Sequence, residues 1–506
     1  MTTNSAILTA VASHRQAGNL NEAERLCRAI LAGDALHAGA HYQLGCVLKD
    51  QRRFAEALTS FHQAASIEPG LAEAYFEAAT IYHGAARARV DPLARRRDSD
   101  AAEAAYRAAI AARPDYVEAY NNLGAVYRSA GKLAEAIQCY QRVLALRPDF
   151  VETRSNLGIA YRMQGRLAEA LACYDDTLRL SPDYAQAHLN RALAWLSMGR
   201  FAEGWAEYEW RWKCADFQPP PHTLPIWDGG PLVDRTLLIH AEQGFGDTLQ
   251  FVRYVPLVAA RGGRVVCEVQ LPLASLLKQS GIPGVVAQGE ALPPCDVRIP
   301  LLSLPRIFGT TCETIPRDVP YLTADPGRVD QWRQALGDED AFRVAIAWQG
   351  RPSYRDDRCR SFHLTEFEPL STLPGVRLVS VQKDQGAQQI AQVAGRWPLV
   401  DVSPRLHDFH DTAAAIRNVD LVITCDSAVA HLAGALGVPT WVALPFAADW
   451  RWLSDRDDSP WYPSVRLFRQ ATMDDWSEVF HRMAQELAAL VASSREQPKS
   501  SARRPA

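Results

Sequence analysis

Asn122-Leu123-Gly124-Ala125-Val126-Tyr127 returns as Asn156-Leu157-Gly158-Ile159-Ala160-Tyr161, and in weakened form as Asn190-Arg191-Ala192-Leu193-Ala194-Trp195. The step is 34 residues both times. The same step joins Gly131, Gly165 and Gly199, then Ala134, Ala168 and Ala202, then Tyr140, Tyr174 and Tyr208, and links Pro148 to Pro182. Several independent positions holding one period of this length mean stacked supersecondary units. Small residues fall where two helices touch, aromatics where the next groove must be filled, and a proline follows the second helix.

These features resemble the tetratricopeptide repeat. Leu44-Gly45 and Pro69 continue the pattern backwards, and Gly18 stands one period before Arg52 at the turn position. Gly45 and Gly124 are 79 residues apart, two periods plus 11, so an insertion is expected around residues 88–98. Its arginines (Arg87, Arg89, Arg95, Arg96, Arg97) suggest an exposed, mobile loop. Six helix pairs are therefore expected over residues 4–216, an α-solenoid whose concave groove takes extended peptides or a partner's helix. The last repeat ends in Trp205, Tyr208, Trp210 and Trp212, which read as a cover that docks the solenoid on the next domain. The alternative is a ligand platform.

The chain of 506 residues is too long for one core and asks for about three domains. It is 48% hydrophobic and 22% charged, with 54 basic against 58 acidic residues, which describes a globular protein and not a nucleic-acid binder. The ten cysteines form neither a Cys-x-x-Cys pair nor a zinc-spaced cluster, and read as reduced thiols. No export signal or membrane span is recognised, so a cytoplasmic protein is expected.

Prolines and glycines from Pro219 to Pro231 mark a linker over residues 217–234. Beyond it the period changes. Short apolar runs (236–240, 264–269, 284–286) alternate with helical stretches (248–260, 271–279), and a second series has runs at 343–348, 376–381, 399–401, 420–424 and 440–444. Such alternation predicts parallel sheets covered on both faces, in an α/β fold of two doubly wound Rossmann-like lobes, 235–330 and 341–490, with a disordered tail at 491–506. Ligands are expected at the carboxyl ends of the strands.

The loop Glu242-Gln243-Gly244-Phe245-Gly246-Asp247 joins a strand to a helix, and Gly244 and Gly246 would leave backbone N–H groups open to an anion. A dinucleotide-binding reading would need a third glycine where Leu249 stands, and Glu268 as the ribose-binding acid. Asp247 reads either as a helix cap or as a carboxylate poised to take a proton. The densest constellation is Cys425-Asp426-Ser427-Ala428-Val429-Ala430-His431, where a helix beginning near Ser427 would aim its N-terminus at a diphosphate. A plain helix cap and a core histidine are the structural alternatives.

The loop ending in Gly246-Asp247, with Asp426-Ser427 and His431, resembles the bacterial lipopolysaccharide heptosyltransferases (glycosyltransferase family 9), which have the two-lobed GT-B fold; the resemblance covers roughly residues 235–480. The repeat fusion is similar in layout to protein O-GlcNAc transferases and bacterial flagellin glycosyltransferases. The resemblance implies Asp247 as catalytic base and Asp426, Ser427 and His431 as donor-diphosphate contacts. Ala428 replaces the family's glycine and Ser427 its threonine, so the donor need not be ADP-heptose. Trp348-Gln349-Gly350-Arg351 is followed by Asp356, Asp357, Arg358 and Arg360; the family's phosphate-approaching basic residue maps best to Arg360, then Arg358, with Gln349 and Lys383 also at the donor side. A solvated loop is the alternative for these residues.

Asp455-Arg456-Asp457 has the Asp-x-Asp spacing of metal-dependent transferases but lies near the C-terminus, so neither a metal nor a cofactor is expected. The expected function is transfer of a sugar from a nucleotide-diphosphate donor to a hydroxyl on a protein or glycan chosen by the repeats. The rivals are a repeat scaffold with an inactive nucleotide-binding module, and an NAD(P)-dependent enzyme.

Overall fold

A computed structural model describes residues 2–89, 91–215, 217, 222–337, 341–352 and 357–496. The chain divides into two compact units, Met1–Ala187 and His188–Ala506.

The first unit is a helical solenoid. Its antiparallel pairs are α1 (Thr2–Gln16) with α2 (Leu20–Gly33), α3 (Ala38–Asp50) with α4 (Phe54–Ile67), α5 (Ala72–Ala88) with α6 (Pro92–Ala112), α7 (Val117–Ser129) with α8 (Leu133–Leu146), and α9 (Val151–Met163) with α10 (Leu167–Leu180). The repeating glycine is explained by the ring opposite it. A β-carbon at Gly45, Gly124 or Gly158 would come within 2.6, 2.6 and 2.5 Å of Phe61, Tyr140 and Tyr174. The turns within the α1–α2, α3–α4, α7–α8 and α9–α10 pairs each hold a left-handed residue, Gly18, Arg52, Gly131 and Gly165 (φ 77°, 62°, 77° and 72°).

Of the expected basic loop at 88–98, residues 92–98 are instead the first turns of α6. Asp91 caps α6 by accepting a hydrogen bond from Ala94 N, Pro92 stands in the first turn where its missing N–H costs nothing, and Arg89 bonds Asp98. The insertion thus lengthens α5 and α6.

A sixth pair, α11 (Ala185–Ser197) and α12 (Phe201–Tyr208), completes the repeat series, but the boundary between units falls at 187/188 and not at 216/217. Aromatic packing explains the shift. Trp205 donates its indole N–H to Thr310 O at 3.1 Å and lies against Phe251, Trp450 and Trp461. The rings expected to dock the last repeat have made it part of the second unit.

The rest of the second unit holds two all-parallel sheets. One, in order β3-β2-β1-β4, contains β1 (Thr236–His240), β2 (Arg264–Val269), β3 (Val285–Ala287) and β4 (Val297–Pro300). The other runs β10-β9-β8-β5-β6-β7, with β5 (Phe342–Ala347), β6 (Val376–Ser380), β7 (Leu399–Asp401), β8 (Leu421–Cys425), β9 (Thr440–Leu444) and β10 (Val465–Arg469). Counted from its first strand, the second order is the doubly wound 3-2-1-4-5-6, and the first sheet is its truncated form. Val344, Ile346, Leu421 and Ile423 bury against Leu364, Phe367, Phe480 and Met483, the last two from the helix Trp476–Glu496. That helix corrects the expected tail over 491–496; residues 497–506 lie outside the described residues, as do Asp356 and the linker prolines 219–221. The helix expected over 248–260 is broken into Phe245–Phe251, a 3-10 turn and Val255–Ala259, where Pro256 removes a donor.

Candidate functional site

The loop after β1 and the helix after β8 meet. Gly246 lies against the His431 ring, so that a β-carbon there would come 2.8 Å from Cδ2. The glycines therefore serve close packing more than an open anion cradle, and the N–H of Gly244 is already donated to Asp247 Oδ2 at 2.7 Å. Gln243, at φ 63°, supplies the left-handed kink of the loop, with its amide donated to Tyr208 Oη at 2.9 Å. Asp247 is thus a cap within its own turn, and its other oxygen receives Nη2 of Arg451 from the second sheet's side. Arg451 is 8% exposed and also bonds Asp449 Oδ1 through Nη1 at 2.8 Å.

The helix Ala428–Ala435 begins at Ser427, whose backbone is extended and whose hydroxyl hydrogen-bonds with that of Thr424 instead of capping the helix. Its first turn is half-buried while its remainder is core, and this orientation presents the amide end of the helix at the carboxyl edge of the sheet. His431 is buried, stacked on Trp452 with centroids 5.3 Å apart and hydrogen-bonded through Nδ1 to Tyr462 Oη at 3.0 Å. Burial holds its pKa well below the usual imidazole value, and Arg451, Arg253 and Arg360 reinforce the shift. His431 is neutral. Asp426 moves the other way, to about 6, raised by burial and by Asp449 and opposed by Arg360.

Arg360 bonds Asp357 Oδ1 through Nε at 3.1 Å and faces Asp426 electrostatically. Gly350 makes room for it, since a β-carbon there would collide with Asp357 Oδ1 and with Arg360 Nη2. Gln349 is fixed by Gln382, whose amide accepts from Trp348 N and Gln349 N and donates to Gln349 O. Asp247, Asp426, Ser427, His431 and Arg360 are thus gathered where the two sheets meet. Arg358 is exposed, and Lys383 donates to His407 O at 3.1 Å; among the described residues, neither is held in this cluster by a bond. Leu249 is core and Glu268 pairs with His222 at 2.8 Å, the two positions a dinucleotide site would have needed otherwise.

Sequence reasoning missed three contributors. Arg451 and Asp449 follow β9 at the same sheet edge, a placement that could have flagged them. Arg253 is 5% exposed, donates to Gln250 O, Pro316 O, Trp461 O and Tyr321 Oη, and has no carboxylate partner among the described residues. Its charge, spread over the Tyr321 and Tyr462 rings, adds positive potential beneath His431. Asp455 is exposed, and Arg456 next to it forks onto Asp458.

Residues 374–444 match glycosyltransferase family 9 (heptosyltransferase), and residues 38–71 and 115–183 match tetratricopeptide repeats. The chain therefore joins stretches similar to tetratricopeptide repeats to a stretch similar to family 9. That segment contains Lys383, Asp426, Ser427 and His431; Asp247, Arg360 and Arg451 lie outside it. Protein FlbA of Caulobacter vibrioides is 29% identical over 320 residues, covering 56% of this chain and 52% of FlbA, so the chain spans about half the length of this curated relative. Among solved structures, the repeats are similar to a thermophilic tetratricopeptide protein of Thermus thermophilus (24% identical, 38% of this chain and 99% of that one, TM-score 0.31) and to MamA of Desulfovibrio magneticus (18%, 36% and 96%, TM-score 0.31). Among the described residues, no helix is long and apolar enough to cross a membrane, and no group of three or more His, Cys, Asp or Glu could hold a metal ion.

Proposed function

We propose that the second unit is a glycosyltransferase that moves a sugar from a nucleotide-diphosphate donor to an acceptor hydroxyl, and that the repeats select a protein or glycan acceptor. The observation that carries this reading is the meeting of Asp247 from the first sheet with the Ala428–Ala435 helix terminus, His431 and Arg360 from the second, around a segment matched to family 9. The diphosphate lies at the helix N-terminus, where amides and dipole favour an anion. Asp247 takes the acceptor proton, the acceptor oxygen attacks the anomeric carbon, and the carbon–phosphate oxygen bond breaks with its electron pair going to the diphosphate. Arg360, the helix amides and the potential of Arg253 carry the leaving group's charge, without a step assigned to a metal or cofactor.

The test is a panel of nucleotide sugars with the full chain, reading both hydrolysis and transfer to cell-extract acceptors. Turnover with one donor, lost in Asp247→Asn, is expected. Absence of turnover and of any nucleoside-diphosphate binding sinks the reading, whereas binding without turnover would support the scaffold alternative.

A further inference from the structure

We infer that Arg451 is a donor-sensing latch on Asp247, an inference that rests on the transferase reading of the same site. Both oxygens of Asp247 are occupied, Oδ2 by its own turn and Oδ1 by Arg451. With a donor already on each oxygen, Asp247 meets an acceptor hydroxyl only in competition with Arg451. Arg451 is anchored independently of Asp247: Asp449 Oδ1 accepts from its backbone N at 3.0 Å and from Nη1 at 2.8 Å, and its guanidinium lies over the Trp450 ring at 4.3 Å. One arm is therefore fixed to its own loop, and the other is exchangeable.

The surrounding charges make a diphosphate the competitor for that arm. Asp247, Asp426 and Asp449 face Arg451 and Arg360, with the buried Arg253 behind His431. A multiply charged phosphate at the adjacent helix terminus offers Nη2 a stronger charge-assisted partner than one carboxylate oxygen. When the donor enters, Nη2 passes to a phosphate oxygen and Asp247 Oδ1 becomes free to take the acceptor's proton. When the nucleoside diphosphate leaves, the pair re-forms. The base is thus unmasked only while a donor is bound, which limits futile activation of water in the empty site.

Competition gives this inference a sign that a merely structural ion pair lacks. Inorganic pyrophosphate, which needs no base or sugar contacts, is titrated calorimetrically into the full-length wild type, Asp247→Asn, Arg451→Lys and the double variant, each first checked for folding by circular dichroism. Removing the competing carboxylate in Asp247→Asn should tighten pyrophosphate binding by about fivefold or more. In the Arg451→Lys background, where a single ammonium cannot serve two anions in fork geometry, that gain should shrink to less than about twofold. Unchanged or weaker binding by Asp247→Asn, or an equal gain in both backgrounds, overturns the latch while leaving the transferase reading intact. If the wild type binds neither pyrophosphate nor UDP, GDP or ADP, the transferase reading itself fails and the latch falls with it.

Discussion

Gly246 and His431 are in van der Waals contact across the two sheets, with no room for a β-carbon at 246. The imidazole cannot yield easily, because Trp452 stacks on one face and Tyr462 holds Nδ1. Gly246→Ala should therefore overpack the site and destabilise the second unit by about 1–3 kcal/mol. Gly244→Ala meets only Asp247 Oδ2 at 3.1 Å and should cost less. Thermal unfolding of the two variants against wild type checks the order; equal melting temperatures would contradict it.

Arg211 is fully buried and grips both oxygens of Glu242, at 2.9 and 2.8 Å, while also bonding Ser303. It brings the end of the last repeat to the first residue of the Asp247 loop. Arg211→Met leaves the buried Glu242 carboxylate without its cation and should cost about 3–5 kcal/mol in denaturant unfolding. Adding Glu242→Gln should return a substantial part of that loss. A double variant no more stable than the single one would show that the pair is not the source.

The fold was legible where periodicity repeats and strands are strongly apolar. Two strands escaped. β4 has only four residues, with Arg298 inside it and Pro300 at its end, and β10 at the sheet edge alternates Val465, Leu467 and Phe468 with arginines. The 34-residue period located the sixth helix pair but not its allegiance, because period reports local structure and the Trp205 contacts that decide allegiance come from residues 251, 310, 450 and 461. In the site, residues at strand ends could be read from the chain. The Arg451–Asp247 pair could not, since its members stand 204 residues apart and neither carries a local signature of the other.

Asp426 gives a pH prediction with a definite sign. Its folded pKa, about 6, lies above the ordinary 3.8, so between these values the native state holds a proton that the unfolded chain releases. Stability from this group is intact below pH 4 and falls as pH rises towards 6, then stays flat. Asp426→Asn removes the cost of the buried charge. At pH 7–8 the variant should be more stable than wild type by on the order of 2 kcal/mol, the gap closing as pH falls to 4. Denaturant melts across that range measure it, and a gap that is constant with pH would rule out the assignment.

The solenoid offers a paired test within one unit. Gly158 and Gly70 both lie in the repeats with φ outside the left-handed region, yet their surroundings differ: a β-carbon at 158 would sit 2.5 Å from Tyr174 Cε1, and one at 70 has no atom within 4 Å. Tyr174 is fully buried and cannot swing away into solvent. Gly158→Ala should therefore cost about 1–3 kcal/mol through displaced packing, whereas Gly70→Ala should be neutral or stabilising by up to about 1 kcal/mol, through the reduced freedom of the unfolded chain. Urea unfolding of the two variants reads both values. A loss at 158 with none at 70 is the expected result, and a destabilised Gly70→Ala would mean that chain entropy does not govern the turn after α4.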